Sequence, residues 1–432
     1  MRLYLKNIGK LSEANVELNG ITVIAGENNT GKSTVGKVLY SMFNSFYNFE
    51  SQIKDTRINL FSQTIKREFE DRYENHDINA LNIAEELFSI SSEKMNLDYL
   101  SNLINDNVED DDEQNNNEYV EGLELSKEFL LFVMENYKRY YKEISDANIY
   151  INLFNRQIKT MFHSQFNNIY ENEVGCISLN VKNKTVELTI ENNQVKSIND
   201  TLSLKKEILY LDNPFILDEW MLYTGVRISL LKSVTPYRTK LLKKLMSDGD
   251  IAEVEEVFKA VVVNERIGGV LSKIDTACNG SLSFNSREGF SYKTDSLSKS
   301  IDINNISTGL KTFIIIKTLL MNGSIEENGT IILDEPEIHL HPEWQILFAE
   351  IIVLLQKEFN LHILLTTHSP YFLEAIEVYS AKYKIDDKCK YYLSENKGEV
   401  AYINDVTDNT ESIYQRLARP FQNLENERYS DD

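Results

Sequence analysis

An apolar, β-branched run, Ile21-Thr22-Val23-Ile24-Ala25, is followed by Gly26-Glu27-Asn28-Asn29-Thr30-Gly31-Lys32-Ser33 and then by a helically spaced run through Tyr40. No other feature restricts the fold of this chain as strongly. The first run is the pattern of a buried strand. In the third, Val35, Val38 and Leu39 share one face, as in a packed helix. The segment between them matches G-x-x-x-x-G-K-[ST], and strand, glycine-rich loop and helix in that order turn the match into a phosphate site. Gly26 and Gly31 let the backbone wrap a phosphate, with N–H groups pointing inward at a helix start. Asn28, Asn29, Thr30 and Thr34 belong to the same nucleotide-binding stretch. Lys32 reaches the β and γ phosphates, and the Ser33 hydroxyl ligates Mg. The bland alternative is a Gly/Asn-rich turn that happens to precede a helix; the flanking elements argue against it.

About three hundred residues later, Thr330-Ile331-Ile332-Leu333 is a short strand of the kind buried in a parallel sheet, ending in Asp334-Glu335-Pro336. Asp334 is the candidate Mg ligand, directly or through water. Glu335 is the candidate group that polarises the attacking water. A third apolar strand, Leu361–Leu365, runs into Thr366-Thr367-His368-Ser369-Pro370. Ser369 and Pro370 have the chemistry of an N-cap and first helical residue. His368 is thereby expected at a strand end, where open α/β sheets place ligands, as a sensor of the γ phosphate. Ahead of the carboxylates, Ser307-Thr308-Gly309 opens an apolar helix whose free N–H groups form a second phosphate-accepting surface.

These segments, in this order, resemble the ABC-type ATPases, and most of all the branch holding the SMC and RecF ATPases and the OLD (overcoming lysogenization defect) proteins. The run Asp334-Glu335-Pro336-Glu337-Ile338-His339-Leu340-His341-Pro342, followed by Thr367-His368-Ser369-Pro370, is especially similar to OLD-like ATPases. The resemblance implies a sandwich of two heads around two ATP molecules. In it, Ser307 and Gly309 contact the γ phosphate of the opposing subunit, Glu335 is the catalytic base and His368 the switch histidine. The chain departs from the family where Thr308 and Leu310 replace the commoner Gly and Gln. The glutamine loop has no clear counterpart, with Gln52 and Gln63 as candidates. Only about sixty residues follow His368. That is too few for the Toprim nuclease domain many OLD proteins append, so the chain reads as the ATPase alone.

The net charge of −22 argues against a surface devoted to nucleic acid, while leaving room for a local basic groove. Cys176, Cys278 and Cys389 are scattered and odd in number, which fits a reducing cytoplasm and implies neither a disulfide framework nor a metal site. The chain starts directly in a strand, Arg2–Leu5, so a signal peptide is not expected. The most apolar stretch, Phe313–Met321, is short and carries Lys317; no membrane partner or span is expected.

The expected fold is α/β: an ABC-type P-loop ATPase head, a mixed sheet flanked by helices, with a mostly helical insertion. The head is assigned to 1–40 and 206–432 and the insertion to 41–205, because some 275 residues separate Lys32 from Ser307, far more than a minimal head needs. The insertion is expected to carry an acidic loop near 108–119 and short strands within 176–190. Leu123–Ile144 reads as a helix whose Tyr137-Lys138-Arg139-Tyr140-Tyr141 is a packed face with snorkelling cations, in preference to a nucleic-acid surface. Ile228–Met246 and Ile251–Val263 read as helices, and Ser281–Asn285 with Gly289–Lys293 as a hairpin. The segment Glu411–Arg419 is helical and leads through Pro420 to an acidic tail that caps the head or meets a partner.

The leading functional expectation is an ATP- and Mg-dependent ATPase that dimerises head to head. By resemblance to stand-alone OLD-like ATPases of Septu-type or PARIS-type systems, it controls a separately encoded nuclease or toxic effector in anti-phage defence. The second is a DNA repair or maintenance ATPase of the RecF or SMC type, against which the acidic balance and the absence of a sustained heptad run both count. A transporter head and a GTP switch rank lower; the chain carries no Asn-Lys-x-Asp motif.

Overall fold

The computed structural model describes residues 1–73, 76–89, 96–110, 123–143, 145–171, 173–221, 236–246, 267–294, 296 and 298–429. They form two compact units, one of Met1–Tyr47 with Phe154–Asp432 and one of Asn48–Leu153.

The first unit is built on an eleven-stranded mixed sheet. Its order is Gln194–Ile198, Lys184–Glu191, Gly175–Val181, Arg2–Ile8, Leu11–Glu17, Val400–Asp405, Cys389–Lys397, Ile21–Gly26, His362–Thr367, Thr330–Asp334 and Ile208–Leu211. The last five run parallel to one another. Most of the remaining pairings are antiparallel. The composition of each strand explains its place. Every residue of Ile21–Gly26 is buried, as both faces of a central parallel strand are covered. In Lys184–Glu191 burial alternates, as expected of an antiparallel strand with one wet face. Helix Lys32–Phe46 follows the central strand, and helices Thr308–Met321, Pro342–Phe359 and Pro370–Lys382 lie around the parallel half. The apolar faces of the last three join the strands in one continuous core through Phe313, Phe348, Phe372, Leu333 and Leu365 among others.

Two sequence expectations shift here. Phe43 and Phe46, which read as the start of the insertion, end the helix that begins at Lys32 and are buried in the first unit. The strands within 176–190 also belong to the first unit: Gly175–Val181 pairs with Arg2–Ile8, Leu3 facing Leu179 and Leu5 facing Ile177. The compact insertion is therefore 48–153 rather than 41–205, because the edge of Arg2–Ile8 takes a non-local partner that local patterning does not reveal.

The second unit is mostly helical, with Phe49–Arg72, Ala80–Ser89, Leu97–Asn105 and Lys127–Lys138 around a core of Phe61, Phe69, Phe129 and Leu100. Arg139–Glu143 continues the last helix as a π-helical turn. Tyr137 is buried there against Phe61 and Phe88, so this aromatic stretch is a packed face. Of the acidic run, 111–118 lies outside the described residues, as do Ile251–Val263 and 228–235; Pro236–Met246 is helical. The hairpin Ser281–Asn285/Gly289–Lys293 is present. Among the described residues no helix is long and apolar enough to cross a membrane.

Candidate functional site

Three adjacent parallel strands, Ile21–Gly26, His362–Thr367 and Thr330–Asp334, end side by side, and the expected nucleotide residues stand at those ends. The register sets Asp334 opposite Thr366, and Thr367 opposite Ala25. The loop after Gly26 is pinned internally: the Thr30 hydroxyl donates to Glu27 O at 2.8 Å, and Ser394 Oγ donates to Thr30 O at 2.7 Å. Gly31 adopts φ 83°, a backbone that side chains disfavour, and opens helix Lys32–Phe46 without a side-chain cap or an acidic residue in the first turn. The helix start is left uncapped by protein and electropositive, the condition for accepting an anion.

Lys32 is buried. Its Nζ donates to Gly26 O at 3.0 Å and Glu27 O at 2.7 Å, and lies 3.4 Å from Glu335 Oε1. Asn29, Thr30, Gly31, Lys32, Ser33, Thr34 and Glu335 line one cavity of about 220 Å³ together with Lys10, a residue of the Arg2–Ile8/Leu11–Glu17 turn that the sequence did not single out. Gly26 and Asn28 flank this lining within the loop.

Asp334 is held on both oxygens. Ser33 Oγ and Thr366 Oγ1 donate to Oδ1 at 2.9 and 2.6 Å, and the buried Tyr210 hydroxyl donates to Oδ2 at 3.0 Å. Burial, with the Asp334 charge beside it, pushes the Tyr210 phenol well up. Ser33 and Asp334 present adjacent hard oxygens, which fits a Mg ion that keeps waters and takes its remaining ligands from phosphate. Among the described residues no cluster of three His, Cys, Asp or Glu offers a dedicated protein cage.

Glu335 sits at φ 49°, outside the usual range for a residue with a side chain, and its N–H is held by Thr366 O and Oγ1. His368 Nδ1 lies 3.7 Å from Glu335 Oε2, an ion-pair distance too long for a hydrogen bond. The pairing lowers the Glu335 carboxyl below its ordinary value, with Lys32 adding to the effect, and raises the His368 imidazole.

Ser307, Thr308 and Gly309 do not line this cavity. Ser307 is exposed at the start of helix Thr308–Met321, and its hydroxyl does not cap that helix. Gly309 is buried against the segment after the carboxylates: a β carbon there would lie 2.8 Å from His339 O. Lys311, two residues on, is buried with its amine on Asp218 Oδ1 at 2.5 Å. Gln52 and Gln63 both lie on helix Phe49–Arg72 of the second unit. The C-terminal helix, Glu411–Tyr429, contacts the loop through Arg416 Nε, 3.1 Å from Glu27 Oε1. Tyr210, Thr366, Lys10 and Arg416 are the site residues that sequence reasoning missed. Only Thr366 carried a signal, as part of the Thr-Thr-His-Ser run.

Over 87 residues the chain is 34% identical to the retron Vc95 probable ATPase of Vibrio cholerae serotype O1 biovar El Tor, an alignment covering 18% of this chain and 16% of that protein. The chain thus matches well under a fifth of that relative's length. The SMC head domain from Thermotoga maritima is 11% identical and aligns over 94% of this chain and 98% of its own, with a TM-score of 0.38. For an SMC head domain with an extended coiled coil from Pyrococcus furiosus, the identity is 10%, the coverage 96% and 98% and the TM-score 0.40. A family model described as an AAA ATPase domain matches residues 1–373, a span that takes in the phosphate loop, the carboxylate turn and His368. With an α/β P-loop fold and that match over most of its length, the chain belongs to the AAA ATPase domain family.

Proposed function

We propose that this chain hydrolyses ATP at the ends of these three strands, closes on a second copy of itself while ATP is bound, and by that closure controls a separately encoded nuclease or toxic effector in anti-phage defence. The observation that carries the chemical part is the convergence of Lys32, Ser33, Asp334, Glu335 and His368 from three segments of the chain, with Lys32 Nζ 3.4 Å from Glu335 and Ser33 2.9 Å from Asp334.

In this reading the loop N–H groups and Lys32 take the β and γ phosphates, the amine turning away from Gly26 O and Glu27 O. Mg, when bound with the nucleotide, would withdraw charge from the phosphates, held by Ser33 and Asp334. Glu335, kept ionised by His368 and Lys32, accepts the proton of a water whose oxygen attacks the γ phosphorus. The bond to the β–γ bridging oxygen breaks, and ADP carries away that electron pair. His368 has Nδ1 engaged by carboxylate and therefore offers Nε2 to the γ phosphate. Ser307 is exposed and lies outside the cavity lining of its own chain, which supports its serving the ATP of a second copy, with Gly309 shaping the turn beside it. The similarity to a retron ATPase supports the defence setting.

Purified protein should hydrolyse ATP in the presence of Mg. Lys32→Ala should abolish turnover, and Glu335→Gln should cut kcat by a factor of about 10² or more while retaining ATP and a dimer measured by light scattering. Wild-type turnover in both variants overturns the catalytic assignment. An oligomeric state and effector affinity that ignore ATP overturn the control of a partner.

A further inference from the structure

Glu337 takes no part in the reaction above, yet it is the most deeply buried carboxylate beside it, only 1% exposed. Its Oε1 accepts the Thr367 hydroxyl at 2.5 Å and the His368 N–H at 3.0 Å. The same oxygen lies 3.7 Å from His368 Nδ1, matching the distance from Glu335 Oε2 to that nitrogen. Its other oxygen, Oε2, is buried without a hydrogen-bond partner. A charge so placed costs several kcal/mol unless it is paired, so an uncharged side chain would hold this turn more cheaply. The second oxygen makes the cost larger, which points to a use for the charge itself. The loop it grips is held from the other side too: Ser369 Oγ donates to Gln345 Oε1 at 2.6 Å, and Ser369 N–H to Thr367 Oγ1 at 3.0 Å.

We propose that Glu337 is a positioning residue that anchors His368 jointly with Glu335, holding the backbone N–H by a hydrogen bond and the imidazole Nδ1 side by charge, so that the histidine keeps its orientation throughout turnover. The need follows from proton bookkeeping. If Glu335 takes the proton of the attacking water, it loses its charge, and an imidazole held by Glu335 alone would lose its anchor at that moment. Glu337 is a second carboxylate, removed from the water path by burial, and keeps hold. The use of this anchor depends on the ATPase reading; the anchor itself does not.

Both carboxylates and Lys32 face the imidazole. The Glu335 pairing and the Glu337 charge raise it, and burial and Lys32 oppose them. Burial pushes Glu337 itself up, against the Thr367 and His368 hydrogen bonds that hold it down.

The test is the proton NMR titration of His368 in the nucleotide-free full chain, its signal assigned among six histidines by loss in His368→Ala. Glu337→Gln keeps an acceptor for Thr367 and the His368 N–H but removes the charge. The His368 titration should move to lower pH; a titration coinciding with wild type overturns the proposal. Should Glu337→Gln not fold, Glu337→Asp decides: the shorter side chain draws its charge back from the imidazole, so the His368 titration should again move to lower pH, and a titration coinciding with wild type overturns the anchor. In turnover, Glu337→Gln should lower kcat about tenfold or more with the KM for ATP within about twofold, and Glu337→Asp should recover part of the loss. An unchanged kcat in a variant whose histidine has shifted overturns the role in turnover. If the wild type does not hydrolyse ATP, the ATPase reading fails while the titration still decides the anchor.

Discussion

Ser33 and Asp334 stand 301 residues apart in the chain and 2.9 Å apart in space. The contact is made because Ile21–Gly26 and Thr330–Asp334 flank the same strand, His362–Thr367, in parallel register. Parallel neighbours require long crossover connections, so the phosphate loop and its acidic counterpart are necessarily distant in sequence.

Tyr210 should matter to this contact although it lies on a third segment. Tyr210→Phe removes a buried hydrogen bond to the Asp334 carboxylate and should cost about 1.5–3 kcal/mol, seen as a lower urea midpoint at unchanged m. The Mg concentration giving half-maximal turnover should rise several-fold. Unchanged stability would show that Asp334 does not rely on the phenol.

Gly309 and Ser307 should separate stability from assembly. In Gly309→Ala the new methyl would press on His339 O, costing about 1–3 kcal/mol. Ser307→Ala removes an exposed hydroxyl that caps nothing, so stability should stay within about 0.5 kcal/mol while ATP-dependent dimerisation weakens. A Ser307→Ala protein that dimerises normally would place the second half of the site elsewhere.

The His368–Glu335 pair sets a pH window. His368 is raised from 6.5, so its contribution to stability is full below 6.5 and is lost as pH rises through the higher folded value. Glu335 is lowered from 4.5, so its contribution is full above 4.5 and is lost as pH falls through the lower folded value. The Tm difference between wild type and His368→Ala should therefore be largest between about pH 4.5 and 6.5 and fade on either side. Both groups are partly exposed, so the difference should also shrink in high salt. A pH-independent difference would mean that the imidazole acts through packing alone.

Arg416 tests whether the C-terminal helix serves the loop. Its ion pair with Glu27 is partly exposed and should contribute no more than about 1 kcal/mol to stability. Arg416→Ala nevertheless leaves the Glu27 charge uncompensated beside incoming phosphates, so the KM for ATP should rise a few-fold, most clearly at low salt. An unchanged KM would make the contact incidental.

The parts of this site legible in the sequence are those whose geometry is local. Gly26–Ser33 announces itself because strand, loop and helix are contiguous, and Asp334-Glu335 because an apolar strand stops on two carboxylates. His368 follows from a strand end and an N-cap. Tyr210 was hidden because a tyrosine in an apolar strand looks like core, and only pairing with Thr330–Asp334 turns its hydroxyl toward Asp334. Lys10 was hidden because it reaches the cavity from a hairpin turn. The left-handed backbone of Glu335 leaves no trace in composition. The insertion boundary was misplaced for a similar reason: Gly175–Val181 reads as half of a local strand pair with Lys184–Glu191 until Arg2–Ile8 supplies its other partner.

Strand Ile21–Gly26 is flanked by His362–Thr367 on one side and Cys389–Lys397 on the other. During synthesis, then, the phosphate loop leaves the ribosome long before either sheet neighbour, the earlier of which begins at His362. Contacts of such long sequence separation form late and slowly. A nascent or truncated chain ending before residue 360 carries the intact motif without the scaffold that shapes it. Competence for nucleotide is thereby tied to the synthesis of both neighbours, and a fragment released before His362 should fail to bind ATP.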